Sequence, residues 1–320
     1  MSPPRVDVPR DYNMAADLLE RHVALGRGDR VAVVDDDGRY TYAWLDDRAR
    51  RAAAALAALG VQPEQRVAVC MLDSVEWPAA FLGAIALGAV PVALNTLLTT
   101  DDYRYLIRDS RARVLIASEA LLGKLEPALA EQPALQHVVV AGRSDTYPSW
   151  QSLVEAASPI AAYASTTADD IAFWLYSSGS TGKPKGAMHL HASARFTAAL
   201  YAQPILGIRE DDVVFSAAKL FFAYGLGNSL TFPFAVGASA ALLAERPTPT
   251  AVMRMFDRHQ PAIFCGVPTL FAQLLADSAL GRRDHLRVST SAGEALPRHV
   301  GERWRERVGS DILDGIGSTE

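Results

Sequence analysis

The run Tyr176-Ser177-Ser178-Gly179-Ser180-Thr181-Gly182-Lys183-Pro184-Lys185-Gly186 brings together the groups that hold a polyphosphate. Gly179, Gly182 and Gly186 carry no Cβ, so the backbone can take positive φ and turn its N–H groups toward phosphate oxygens. Ser177, Ser178, Ser180 and Thr181 supply hydroxyl donors, and Lys183 and Lys185 supply charge-assisted ones. A flexible Ser/Gly surface turn is the plain alternative. The nucleoside-triphosphatase P-loop is excluded by spacing, because it needs four residues before its Gly-Lys pair and a Ser or Thr after it. Here two residues separate Gly179 from Gly182, and Pro184 follows Lys183.

Other segments invite a chemical reading. Lys219-Leu220-Phe221-Phe222-Ala223-Tyr224-Gly225-Leu226-Gly227-Asn228 is too rich in glycine and aromatics to start a regular amphipathic helix. From pattern alone, core aromatics explain it better than a pocket wall. Ser289 to Pro297 closes a strand with small residues before Pro297 opens a helix, which fits a close-approach site and an ordinary turn equally well. His189 and His191 share one face of an extended segment, but no cysteine or carboxylate partners accompany them. A structural pair is favoured over a metal site. No Gly-x-Ser-x-Gly elbow occurs, which argues against an α/β-hydrolase.

These segments need a scaffold, and the chain is long enough to build one. Its 320 residues are half apolar, with a net charge of −5, a composition that buries a substantial core. The acidic balance and dispersed arginines give no footprint for nucleic acid. Cys70 and Cys265 lie in apolar runs and read as core packing in a reducing compartment. No signal-peptide pattern opens the chain, so a cytoplasmic location is expected. Trp77 to Thr100 carries no charge over a membrane-spanning length. Pro78, Gly83, Gly88, Pro91 and Asn95 interrupt it, so a buried helix followed by a buried strand fits better.

Strand and helix patterns alternate, the signature of an α/β fold with largely parallel sheets. Strands are predicted at 31–34, 66–71, 90–94, 114–117, 171–175, 213–216, 262–265 and 286–289. Helices are predicted at 44–59, 75–87, 101–109, 249–259, 269–276 and 297–308. Gly60 and Gly88 stand where left-handed helix caps belong. Residues 156–170 form a Ser/Thr/Ala-rich connection into the strand before the glycine-rich run.

The Ser/Thr-rich stretch ending in Gly-Lys-Pro-Lys-Gly closely resembles the phosphate loop of the adenylate-forming superfamily of acyl-CoA synthetases, firefly luciferase and peptide-synthetase adenylation domains. The resemblance runs from Tyr12-Asn13-Met14-Ala15 to Glu320. It is nearest to the benzoate-CoA ligase group, through the wording around Phe221 to Gly225. It implies two packed α/β lobes of a large N-terminal domain, about 66–191 and about 10–60 plus 200–320, with the active site in the crevice between them. It implies ATP, Mg²⁺ and coenzyme A as cosubstrates or cofactors, and a small aromatic acid as substrate. ATP contacts would come from Ser177, Ser178, Gly179, Ser180, Thr181, Gly182, Lys183 and Lys185. Further ATP contacts would be Gly293, Glu294 and Ala295, then Asp314, Gly315, Ile316, Gly317 and Thr319.

Catalysis would rest on Lys185, Thr319 and Glu320, with Glu320 holding the metal. Phe222, Ala223, Tyr224 and Gly225 would line the acyl pocket. Ile316 departs from the adenine-stacking aromatic of many relatives, a departure shared by the benzoate branch. The family's ribose-binding Thr-Gly-Asp, hinge and C-terminal domain would all follow Glu320. The resemblance therefore implies a domain incomplete at its C-terminus, and a 320-residue chain that does not turn over alone. A module loading a carrier protein, and a noncatalytic ATP- or acyl-binding protein, are the alternatives. The oligomeric state is open, with a homodimer among the options.

Overall fold

The computed structural model describes residues 5–177 and 182–320. They fall into two compact units: Arg30–Thr41 with Ala194–Ser318 form unit 1, and Arg5–Asp29, Tyr42–Ser193 and Thr319–Glu320 form unit 2.

Along the chain the strands are β1 (Val31–Val34), β2 (Arg39–Thr41), β3 (Arg66–Cys70), β4 (Val90–Ala93), β5 (Val114–Ser118), β6 (His137–Ala141) and β7 (Ile171–Ser177). They continue with β8 (Lys185–Leu190), β9 (Val213–Ser216), β10 (Ser239–Ala241), β11 (Ile263–Gly266), β12 (Val288–Ser291) and β13 (Asp311–Asp314).

Unit 2 carries a six-stranded sheet in the order β6-β5-β3-β4-β7-β8. Its pairs are parallel except β7 with β8. β4 and β5 are buried along their whole length, which is why they read as unbroken apolar runs. The helix Tyr42–Ala58 meets the helix Glu76–Ala86 through alanines. A Cβ on Gly83 would stand 2.6 Å from that of Ala52 and 2.8 Å from the Ala49 carbonyl, so only glycine permits this approach. The same alanine-rich helix staples the Ser/Thr/Ala-rich connection: Arg51 donates to the Ala157 carbonyl at 2.8 Å, and Arg50 to those of Ile160 and Ala161 at 3.3 Å. The helix Thr100–Ser110 starts with a capping box between Thr99 and Asp102 and buries Tyr103, Leu106 and Ile107.

Unit 1 carries a seven-stranded sheet, β13-β12-β11-β9-β10-β1-β2, parallel except for β1 with β2. Its core is aromatic. Phe256 meets Phe264 edge-on at 4.9 Å, and Phe271 meets Trp304 edge-on at 4.8 Å. All four are fully buried, each contributing about 1.5–3 kcal/mol through burial.

Gly60 and Gly88 take φ of +79° and +78°, as their cap positions predict. The uncharged stretch resolves into the helix Glu76–Ala86 and β4, and no helix among the described residues is long and apolar enough to cross a membrane. Both cysteines are buried, and burial pushes each thiol up to about 12.

Two expectations need correction. The lobe division placed 10–60 with the second lobe, yet only Arg30–Thr41 joins unit 1. The rest is tied into unit 2 by the alanine contact at Gly83 and by Asn13, whose amide donates to the Ile85 and Ala164 carbonyls. The strand expected at 286–289 runs instead from Val288 to Ser291. Leu286 N–H is taken by a turn to the Arg283 carbonyl, and the parallel register with β11 starts at Val288.

Candidate functional site

The predicted site residues divide between the two units. Ser178, Gly179, Ser180 and Thr181 lie outside the described residues. In unit 2, Ser177 ends β7 and Lys185 begins β8 directly opposite it. Antiparallel partners share a face of the sheet, and so do residues two apart, so Ser177, Lys185 and His189 point the same way. Lys185 is exposed at the edge strand. Gly182 has φ +125°, and a Cβ there would meet nothing within 4 Å among the described residues. Backbone conformation alone is enough to favour glycine at this position.

Onto that face come the last residues of the chain. Ser177 Oγ donates to Glu320 Oε1 at 2.9 Å. The backbone of Thr319 faces the His189 ring, which stacks on Phe173 at 4.6 Å with planes 6° apart. Burial lowers the His189 pKa, while Thr319 and the Glu320 carboxylate oppose that shift. The structure thus brings together Ser177, Lys185, Thr319 and Glu320, and adds His189. His191 takes a structural role, because its Nδ1 accepts from Met14 N–H at 2.9 Å. Burial pushes it down to about 4 against the pull of Asp170. Among the described residues no group of three His, Cys, Asp or Glu could hold a metal ion.

On the other face, Lys183 places its ammonium 5.0 Å from the centre of the Tyr105 ring, and Tyr105 donates to the Pro184 carbonyl at 3.1 Å. Tyr176 donates to Asp109 Oδ2 at 2.6 Å. Nothing in the sequence pattern singles out Tyr105 and Asp109, which sit on an ordinary amphipathic helix. Only their placement against the β7 and β8 ends reveals them.

Unit 1 gathers its candidates at the carboxyl ends of parallel strands, where open α/β sheets bind ligands. Gly293, Glu294 and Ala295 follow β12 and are exposed. Asp314, at the end of β13, accepts from Leu296 N–H at 3.1 Å, and Gly315 N–H donates to the Ser291 carbonyl at 2.8 Å. These two bonds lock the segments after β12 and β13 to each other. Ile316 projects fully into solvent, and Gly317 is exposed.

The aromatic segment after β9, a turn at Lys219–Phe222 that enters the helix Ala223–Leu226, is held from two sides. Tyr224 OH reaches the Thr290 carbonyl at 3.0 Å and the Thr290 hydroxyl at 2.6 Å, and its burial raises the phenol pKa. The Lys219 ammonium donates to the Leu243 carbonyl and, at 2.7 Å, to that of Glu245. Gly225 sits where a Cβ would lie 2.0 Å from the Lys219 carbonyl. Phe221 is buried under Phe222, their rings 4.5 Å apart, while Phe222 is 44% exposed and Ala223 half-buried. An exposed aromatic on a rigid loop can present a flat apolar face to a ligand. The Ser289 and Ser291 hydroxyls on β12 are buried with no partner among the described residues.

Comparison with known proteins bears on all of these segments. Residues 19–320 match the profile of a family described as AMP-binding enzyme. The benzoate–CoA ligase of Thauera aromatica is 55% identical over 100% of this chain and 61% of its own length. The 4-hydroxybenzoate–CoA/benzoate–CoA ligase of Rhodopseudomonas palustris is 48% identical over 97% of this chain and 58% of its own. Among solved structures, a benzoate CoA ligase from Burkholderia xenovorans LB400 superposes with a TM-score of 0.91 at 51% identity, covering 97% of this chain and 61% of that one. The anthranilate CoA ligase AuaEII, solved with anthranoyl-AMP, gives 0.94 at 38% identity over 98% of this chain and 61% of that one. The chain spans about three fifths of the length of these relatives.

Proposed function

Because this chain belongs to the AMP-binding enzyme family, we propose that the whole protein activates an aromatic carboxylic acid of the benzoate class with ATP and passes the acyl group to coenzyme A. The observation that carries the ATP half is the Ser177–Glu320 hydrogen bond, which sets a carboxylate beside the end of the strand that enters the glycine-rich run. The likeness to benzoate-activating relatives supports the acid, and the exposed Phe222 on its braced loop fits it.

In the first step a carboxylate oxygen of the acid attacks the α-phosphorus in line, forming the acyl–O–P bond as the bond to pyrophosphate breaks. In the second, the coenzyme A thiolate attacks the acyl carbon and AMP leaves. Neither step needs a nucleophile from the protein, so its residues position substrates and neutralise charge on phosphate oxygens. Lys183 and Lys185 serve the β- and γ-phosphates together with the loop hydroxyls, and Thr319 serves the α-phosphate. Gly293, Glu294, Ala295 and the segment Asp314 to Gly317 serve the nucleoside.

A magnesium ion takes one or two carboxylates and completes its shell with phosphate oxygens and water. Glu320, an exposed carboxylate that accepts from Ser177 Oγ, fits that demand. Bound there, the ion would neutralise phosphate charge. A cytoplasmic location, where ATP and coenzyme A are both available, fits this reading.

The test is a substrate panel on the whole protein. Benzoate or a close aryl acid gives the highest kcat/KM, above acetate and long-chain acids by tenfold or more, about 1.4 kcal/mol in transition-state binding. Alkyl acids winning by that margin would remove the aromatic assignment. Acyl transfer to a phosphopantetheinyl carrier in preference to coenzyme A would replace the acceptor.

A further inference from the structure

We propose that Tyr105 is a positioning residue for the glycine-rich run, holding the arm through which the chain leaves it by ring and hydroxyl at once. The inference rests on the ATP reading above and assigns to the helix Thr100–Ser110 a part in binding that its sequence does not announce.

One turn of that helix meets both arms. On the outgoing arm, the Tyr105 ring faces the Lys183 ammonium at 5.0 Å, and its hydroxyl donates to the Pro184 carbonyl at 3.1 Å. On the incoming arm, Asp109, four residues further along the helix, accepts from Tyr176 OH at 2.6 Å. Residues four apart lie on one face of a helix, so this pair forms a single platform. Pro184 has no N–H, and its carbonyl is the one backbone polar group by which it can be gripped.

The platform itself is firm. Thr99 and Asp102 cap its start, and Tyr103, Leu106 and Ile107 anchor it in the core. Tyr105 is half-buried with its ring against the edge of that core, and Asp109 is exposed. Burial and the neighbouring Asp109 raise the Tyr105 pKa, which keeps its hydroxyl a donor across the neutral range.

A lysine at a ring face is restrained in position while its ammonium protons remain available to an anion. Tyr105 thereby lowers the ordering cost of bringing Lys183 to phosphate, and its effect belongs in ATP affinity and not in the chemical step.

The experiment measures ATP binding by calorimetry and, in the whole protein, KM and kcat of acid-dependent pyrophosphate exchange. Tyr105→Ala weakens ATP binding about tenfold, with kcat and the KM for the acid within about twofold of wild type. Tyr105→Phe keeps the ring contact and loses the Pro184 bond together with the longer 3.5 Å contact to Asp109 Oδ1, giving about a threefold effect. In the Lys183→Met background Tyr105→Ala adds less than it does alone, because the two residues share one contact. Unchanged ATP affinity in Tyr105→Ala, or effects of Tyr105→Ala and Lys183→Met that simply multiply, would overturn the inference. If Tyr105→Ala proves unstable, an unchanged affinity in Tyr105→Phe overturns it equally. Wild-type protein that binds ATP but exchanges no pyrophosphate with any acid would sink the functional reading alone, and the affinity ratios would still decide for or against Tyr105.

Discussion

The strand ends of unit 1 and the β7–β8 end of unit 2 are built differently, and under the proposed function each construction has a use. After β12 and β13, backbone and side-chain bonds fix the chain: Asp314 to Leu296, Gly315 to Ser291, Tyr224 to Thr290. Gly225 is enclosed so tightly that a Cβ would overlap two carbonyl oxygens. At the β7–β8 end, among the described residues, Gly182 has no neighbour within Cβ reach, and Lys183 meets a ring face and no carboxylate, while Lys185 is exposed. A region that recognises shape must be built before its ligand arrives. A region that neutralises charge must keep its cations unspent. Ion-pairing Lys183 or Lys185 within the protein would stabilise the fold slightly and oppose phosphate binding.

The contrast is sharpest in glycine. Gly225→Ala forces a methyl group to within 2.0 Å of the Lys219 carbonyl and 2.5 Å of that of Ala218. It should destabilise by about 3 kcal/mol or more, read by denaturant unfolding. Gly182→Ala meets, among the described residues, only the strain of positive φ, on the order of 1 kcal/mol. Equal losses at the two positions would erase the distinction between the regions.

Lys185→Ala addresses the other side of it. With no structural duty for an exposed edge-strand lysine, stability should move by less than about 0.5 kcal/mol. Pyrophosphate exchange in the whole protein should fall by about a hundredfold, some 2.7 kcal/mol of lost charge-assisted bonding. An intact exchange rate would remove Lys185 from the mechanism.

His191 marks where the open hairpin gives way to packed structure. Its folded pKa lies near 4, below the ordinary 6.5, because burial disfavours the charged ring. A protonated Nδ1 would also confront the Met14 N–H it now accepts. The unfolded chain therefore binds the extra proton first. This contribution to stability is complete above pH 6.5 and is lost as pH falls from 6.5 toward 4, with a slope of up to about 1.4 kcal/mol per pH unit. Unfolding free energies of wild type and His191→Gln across that window give the difference. Parallel curves would show that the ring titrates as it does in the unfolded chain.

Much of this was legible in advance. Apolar runs with glycine caps located most strands and helices, because central parallel strands and Gly60 and Gly88 carry strong local signals. Ser177, Lys185, Thr319 and Glu320 were marked by resemblance, and the Ser177–Glu320 contact joins residues 143 apart in sequence. What stayed hidden depends on tertiary placement. Tyr105 and Asp109 look like any exposed residues of a capped helix. Lys219 looks like a surface lysine until its ammonium is seen on the carbonyls of Leu243 and Glu245. The division of the first 60 residues failed for a related reason, since an alanine-rich helix does not announce which sheet it covers. The spacing of His189 and His191 reads as a structural pair, and only the fold shows that His189 stacks on Phe173 and faces Thr319.

The order of strands in unit 1 bears on how the chain folds as it is made. β1 finds its parallel partner in β10, with Val33 opposite Ala240, while every strand of unit 2 is synthesised in the interval between them. Emerging from the ribosome, the apolar Val31–Val34 segment has only the short β2 beside it until residue 241 is available. The six-stranded sheet needs nothing beyond Leu190 to complete its pairings. Closing the β1–β10 loop carries an entropy cost that grows with the logarithm of its length, and a pre-folded insert shortens the effective loop. The chain is thus arranged so that its middle can fold first and bring the ends of the other sheet together.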